Sequence, residues 1–237
     1  MRCVGRGLAL TLTTALGIAA MAAPPAWADT AEDRAIVYAP RDGGSKKLRV
    51  MGDSRSLSGG PTVAVLAPDG AGATALAQPT LYWFVSEPIS SKVEMVIVEE
   101  DTRKTVFETV MDGPTSGGIF SVQLGKLRIS LRPDRDYRWS VSVAQDPAQR
   151  PAQRSTELFA SGVVRRADMD PDLAAELNRT AVREMPFFLA KHGLWYDALA
   201  VLSVQIARHP DDRQLRALRA SLLDQVGLYD VAKFDRR

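Results

Sequence analysis

Cysteine and histidine are almost missing: the 237 residues include one cysteine, Cys3, and two histidines, His192 and His209. Cys3 stands ahead of the first apolar run, in a stretch expected to be removed, so the mature chain has no thiol. That excludes disulfides, thiolate metal sites and thiol nucleophiles together. Both histidines fall at expected helix ends, where an imidazolium complements the helix dipole, and this reading is preferred to catalysis or metal binding. Also missing are H-E-x-x-H, G-x-S-x-G, the P-loop and the dinucleotide fingerprint. No catalytic, cofactor-binding or metal-binding residue is therefore assigned, and the chain leans away from an enzyme.

Excess charge is lacking too. Residues 1–28 carry Arg2 and Arg6 and no acid, which leaves 28 basic against 28 acidic residues from Asp29 onward. A neutral chain gives no electrostatic case for nucleic acid or an anionic membrane surface.

What is present begins with a leader. Arg2 and Arg6, an apolar run from Leu8 to Ala23, and Pro24-Pro25-Ala26-Trp27-Ala28-Asp29 have the layout of a signal peptide cleaved after Ala28. The run is shorter than the ~20 residues that a bilayer core needs. Cys3 lies before the run, where no lipoprotein cysteine is found. The expected product is exported, periplasmic or extracellular, with no membrane span and no lipid. Residues 29–60, rich in glycine and charge, read as a flexible N-terminal arm, with Ile36-Val37-Tyr38 and Leu48-Arg49-Val50 as its only apolar patches. Lys46, Lys47, Arg49 and Arg55 read as a solvated face.

Residues 61–166 are the expected sandwich. The strand period is clearest at Leu131–Val143, where Tyr137, Trp139, Val141 and Val143 alternate with Arg138, Ser140 and Ser142. Leu131, Pro133 and Tyr137 have the spacing of a tyrosine corner. Seven strands are expected, at 62–66, 80–86, 93–99, 105–110, 118–124, 136–143 and 156–164. Seven strands with the corner on the sixth imply a fibronectin-III or immunoglobulin-like β-sandwich. The duplicated Pro-Ala-Gln-Arg of 147–154 falls in a surface loop between the last two strands.

Residues 167–237 change to a helical period. Asp170-Pro171 supplies an N-cap and a first-turn proline, and Pro186 is expected to break or kink the helix before Phe187-Phe188. Gly193-Leu-Trp-Tyr-Asp-Ala198 recurs as Gly227-Leu-Tyr-Asp-Val-Ala232, a 34-residue period like that of tetratricopeptide repeats. Arg216 and Arg219 fall where that repeat prefers apolar residues. Fewer than two repeats do not bury a core alone, so this tail is expected to dock on the sandwich through Phe187 or Phe188.

Candidate interaction residues are Arg165, Arg166, Trp195, Tyr196 and Asp197. Aromatics and arginines are enriched at binding hot spots, although helix core is the competing role for Trp195 and Tyr196. The run Glu99-Glu100-Asp101 with Asp112 offers oxygen ligands for Ca²⁺, against the commoner reading of a solvated acidic turn.

Gln78–Val85, Gly118–Val122, Tyr137-Arg138-Trp139, Arg154-Ser155, Gly162–Arg166 and Leu194–Leu199 together resemble a bacterial family, domain of unknown function 928. The resemblance runs from about Arg49 to Ala232. It departs at Ala144-Gln145, where members often carry a cysteine, and at the Pro-Ala-Gln-Arg duplication. It implies an exported protein of cyanobacteria or other Gram-negative bacteria, and no reaction. The expected role is a non-enzymatic interaction or adaptor module of the cell envelope, with another envelope protein as partner. The rival is a carbohydrate-binding or carbohydrate-processing protein.

Overall fold

Among the described residues, eight strands and five helices follow one another in chain order, strands first. The structure, a computed structural model, describes residues 34–41, 48–50, 60–143 and 158–237. The leader and its cleavage point, Lys46, Lys47, Arg55 and the Pro-Ala-Gln-Arg duplication lie outside the described residues. Ala35–Arg237 form one unit, separate from Met1–Arg34.

The strands are β1 Val63–Val65, β2 Ala71–Thr74, β3 Thr80–Val85, β4 Lys92–Glu99, β5 Lys104–Asp112, β6 Gly118–Gln123, β7 Asp136–Val143 and β8 Phe159–Arg166. They form a three-stranded sheet, β1-β3-β6, and a five-stranded sheet, β2-β8-β7-β4-β5. Every pairing is antiparallel except β2 with β8. The count is eight where periodicity gives seven. The extra strand, β2, reads Ala-Gly-Ala-Thr, without the branched and aromatic residues that announce a strand. Its parallel register with β8 holds it in place.

The expected corner has its hydrogen bond. The Arg132 N–H donates to the Tyr137 hydroxyl at 3.1 Å, and Leu131 and Tyr137 are both buried. In β7, Tyr137, Trp139 and Val141 are buried while the alternate residues are half-exposed, as the period of two requires. Strand β3 departs from that pattern, because Leu81 to Val85 are all buried. Tyr82 bonds to Ser203 and Phe84 meets Phe234, both from the helices, and Leu81, Trp83 and Val85 of the opposite face are buried as well, so this strand is covered on both faces.

The helices are α1 Pro171–Arg179, α2 Met185–Lys191, α3 Trp195–Arg208, α4 Arg213–Asp224 and α5 Tyr229–Asp235. Asp170 caps α1 by accepting from the Asp172 N–H at 2.8 Å. The break expected at Pro186 falls earlier, at Thr180, and Pro186 sits in the first turn of α2. First-turn N–H groups have no intrahelical acceptor, so proline there removes no bond. His192 and His209 occupy the C-cap positions of α2 and α3.

The 34-residue repeat is visible in the backbone. Gly193 and Gly227 both have positive φ, 70° and 74°. The Leu194 N–H bonds to Leu189 O, and the Leu228 N–H bonds to Leu223 O, each closing a helix and turning the chain into the next. Arg219, on a face expected to be apolar, is buried because Asp235 takes Nε and Nη2 at 2.7 and 2.6 Å and Ser203 takes Nη1 at 3.0 Å. One contiguous core contains Trp139 of the five-stranded sheet, Leu81 and Phe84 of the three-stranded sheet, and Trp195, Leu199, Leu223 and Val231 of the helices.

The described parts of the N-terminal arm are fastened, not free. Ile36 is buried, the Tyr38 ring meets Trp195 edge-on at 4.9 Å, and Val50 exchanges both backbone bonds with Ser161. These are the two apolar patches of the arm. The side chain of Arg49, read as solvated, is buried. It donates to Ala67 O at 2.8 Å and pairs with Asp69 at 2.7 Å.

Candidate functional site

The left-handed turn at Gly193 points the first turn of α3 at the sheets, and three of the sequence candidates ride on it. Trp195 Nε1 donates to Leu66 O, just past β1, at 2.9 Å. The Tyr196 hydroxyl accepts from Trp139 Nε1 of β7 at 3.0 Å and donates to Val163 O of β8 at 3.1 Å. Asp197 accepts from the Thr74 hydroxyl, at the end of β2, and from the Ala75 N–H, both at 2.8 Å. Trp195 and Tyr196 are wholly buried and Asp197 nearly so. That takes all three away from any partner surface and makes them the joint between helices and sheets. Gly72 permits the approach, since a Cβ there would stand 2.7 Å from the Tyr196 ring.

Burial sets the electrostatics of this joint. It pushes the Tyr196 phenol well above its ordinary range. It also raises the Asp197 carboxyl to about 6, although the Ala75 N–H, the Thr74 hydroxyl and the Arg41 guanidinium pull the other way.

Phe187 and Phe188, expected to make the joint, are half-buried at the margin of the core, and Phe188 lies 4.5 Å from the His192 ring. The polar contacts across the joint belong to α3 instead. Its first turn can both bury aromatic area and satisfy sheet-end carbonyls and N–H groups, which a phenylalanine cannot do.

Beside the joint lies an open cleft of about 800 Å³. Its walls come from Tyr38 and Pro40 of the arm, Asp69-Gly70 before β2, Glu100-Asp101 after β4, Asp136 and Arg165 of β7 and β8, and Gly227 and Tyr229 at the α4–α5 turn. The four carboxylates are all engaged by arginine. Asp69 meets Arg49 at 2.7 Å, Glu100 meets Arg138 at 2.6 Å, Asp101 meets Arg135 at 2.7 Å, and Asp136 takes Arg165 through two bonds of 2.6 and 2.8 Å. Such pairs hold their planes fixed and leave the walls close to neutral.

Of the sequence candidates, Arg165 alone lines this cleft, tied to Asp136. Arg166 donates from Nη1 to Leu131 O at 3.1 Å, behind the tyrosine corner. The acidic run does not converge on a cation. Glu99 bonds to Thr102 and Arg132, which hold its carboxyl below the usual range, and Asp112 is paired with Lys92. Among the described residues no cluster of His, Cys, Asp and Glu has the grouping of a metal site, and no helix is long and apolar enough to cross a membrane.

Sequence reasoning missed Asp136 and Tyr229 as walls of one cleft, because β7 and the α4–α5 turn, far apart along the chain, meet only in the fold. One signal was available for Tyr229. It stands at the repeat position of Trp195, and where Trp195 is wholly buried Tyr229 is 68% exposed.

Among curated proteins none matches this chain. The crystal structure of a multi-domain immunophilin from Arabidopsis thaliana is similar over 74% of this chain and 92% of that one, at 6% identity and a TM-score of 0.17, a likeness that carries no fold assignment. The sequence profile that does match spans residues 41–235, all of the strands and helices just described, and the chain belongs to the family described as Domain of Unknown Function (DUF928).

Proposed function

We propose that this is an exported, non-enzymatic interaction module of the cell envelope that takes its partner in the cleft beneath Tyr229. The observation that carries the reading is the unequal fate of the repeated aromatic. Trp195 is covered by the sandwich, while Tyr229, at the same place in the second repeat, stands 68% exposed on a cleft of about 800 Å³. An exposed aromatic over a rigid, partly apolar cleft has the character of a binding anchor. Engaged carboxylates support recognition over acid–base chemistry, since each already shares its oxygens with a guanidinium.

The same reading covers the fold's finer identity and its address. Strand order β1-β3-β6 against β8-β7-β4-β5, with a tyrosine corner before β7, supports a fibronectin-III-like sandwich carrying β2 as an addition. The pairs α2–α3 and α4–α5, related by 34 residues, support a tetratricopeptide-like hairpin. The Leu8–Ala23 run and the Ala26-Trp27-Ala28 site support export, with Asp29 as the mature terminus.

The test is quantitative co-purification of envelope proteins with wild type and with Tyr229→Ala. A partner enriched by wild type and lost by at least tenfold in the variant, at unchanged melting temperature, is the expected result. Equal enrichment by both overturns the cleft as the site. A second reading, carbohydrate binding, is favoured by two tyrosines, Tyr38 and Tyr229, on neutral walls rich in fixed carboxylate and guanidinium groups. A glycan array separates the two, because sugar binding lost in Tyr229→Ala would replace the protein partner.

A further inference from the structure

Among the described residues the two sheets have four edges, of which three are closed or short. β1 is buried along its length, and β2 has Asp197 of α3 against its end. β6 is six residues long and begins at a glycine. The fourth, β5, runs nine residues without proline or glycine at the outside of the five-stranded sheet. Its valines are uncovered, Val106 at 36% and Val110 at 58% exposure. An open edge of this kind presents a row of backbone donors and acceptors, a template for a further strand.

We propose that β5 pairs antiparallel with β5 of a second copy of this chain, about a twofold axis at Glu108. That register sets Lys104 opposite Asp112, Val106 opposite Val110 and Phe107 opposite Thr109, and by symmetry each match occurs twice. Lys104 faces a carboxylate that Lys92 of the same chain also holds. The β4–β5 ladder skips Val106, which leaves that residue without a partner in β4. Moving the axis by one residue breaks the match, since Glu108 then falls opposite Val106 or Val110. The register centred on Glu108 is the one that pairs all nine residues of the strand, whereas an axis at Val106, which sets Lys104 opposite Glu108, pairs only Lys104 to Glu108, and the second copy is the partner this full-length match fits. The single mismatch is the axial Glu108 pair, since like charges directly opposite weaken a ladder. The interface is accordingly weak, and responsive to that residue.

The experiment is sedimentation velocity on the chain from Asp29 onward, which carries no cysteine, over a wide concentration range. The wild type moves from monomer to dimer as concentration rises. Glu108→Gln does so at a roughly two- to fivefold lower concentration, and Val110→Lys stays monomeric with an unchanged circular dichroism spectrum. Register is read separately: Glu108→Cys, facing its own image within disulfide reach, oxidises to a covalent dimer, whereas Ser121→Cys on β6 does not. The proposal is overturned if both wild type and Glu108→Gln remain monomeric, if the dimer survives Val110→Lys, if Ser121→Cys crosslinks in place of Glu108→Cys, or if a monomer instead captures an extended peptide along β5.

Discussion

Acid should tighten the joint between α3 and the sheets through Asp197. Its carboxyl titrates at about 6 in the folded chain, against 3.8 for an ordinary aspartate, and burial is the largest cause. Below pH 3.8 the group is protonated in both states, and its contribution to stability is fully present. Between 3.8 and about 6 the folded chain holds a proton that the unfolded chain has lost, so stability falls as pH rises through that window. At 1.36 kcal/mol for each pH unit the whole shift is worth about 3 kcal/mol, of which about 2 kcal/mol is lost between pH 4 and pH 7. The neutral carboxyl keeps both its bonds, because the Thr74 hydroxyl can rotate from donor to acceptor. The assay is urea unfolding of wild type and Asp197→Asn from pH 4 to pH 8, and the difference between the two isolates this residue from every other titrating group. The asparagine variant gains on wild type by about 2 kcal/mol as pH rises from 4 to 7. Two parallel profiles would refute the reasoning.

Three further substitutions probe the same architecture. Tyr196→Phe removes the oxygen that joins Trp139 Nε1 to Val163 O and leaves both buried groups unmet, at a cost of about 1–3 kcal/mol by chemical denaturation. Gly72→Ala places a methyl 2.7 Å from the Tyr196 ring and 3.0 Å from Pro68, so the melting temperature falls by the equivalent of about 1–3 kcal/mol of overpacking. Arg219→Met strands the buried Asp235 carboxylate and costs about 3–5 kcal/mol, whereas adding Asp235→Leu recovers much of it, a contrast that calorimetry of the two variants reads directly.

Much of this fold can be read from residue pattern where the pattern is strong. Strand β7 alternates bulk and polarity over its whole length, and its observed bounds, Asp136–Val143, are those the period gives. Strand β2 is illegible for the opposite reason. Alanine and glycine carry no period, and the strand exists because β8 offers a parallel edge and Asp197 takes the groups at its end. The unbroken run Leu81 to Val85 did carry a signal of its own, since a strand without alternation is one covered on both faces. At the joint, the Trp-Tyr-Asp run of 195–197 is conspicuous in sequence, but whether such aromatics serve core or surface depends on what lies opposite. Here that is Leu66, Trp139 and Val163, residues far away along the chain. Arg49 illustrates the same limit. Nothing near it in sequence distinguishes it from Lys46 and Lys47, and its burial follows from Asp69 and Ala67.

Helices and sheets share one core, joined at Trp195, Tyr196 and Asp197, and the cleft is built from both. The most direct test is thermal circular dichroism of residues 167–237 expressed alone. Without Leu66, Thr74, Trp139 and Val163 to receive its first turn, α3 loses every polar contact it makes across the joint. Phe234 likewise loses Phe84, its ring partner at 5.1 Å. The fragment is expected to be largely unfolded, with weak helical ellipticity and no sharp transition, while the full chain melts in a single step. A fragment with strong helical signal and its own cooperative melt would contradict the claim and make the tail an independent domain.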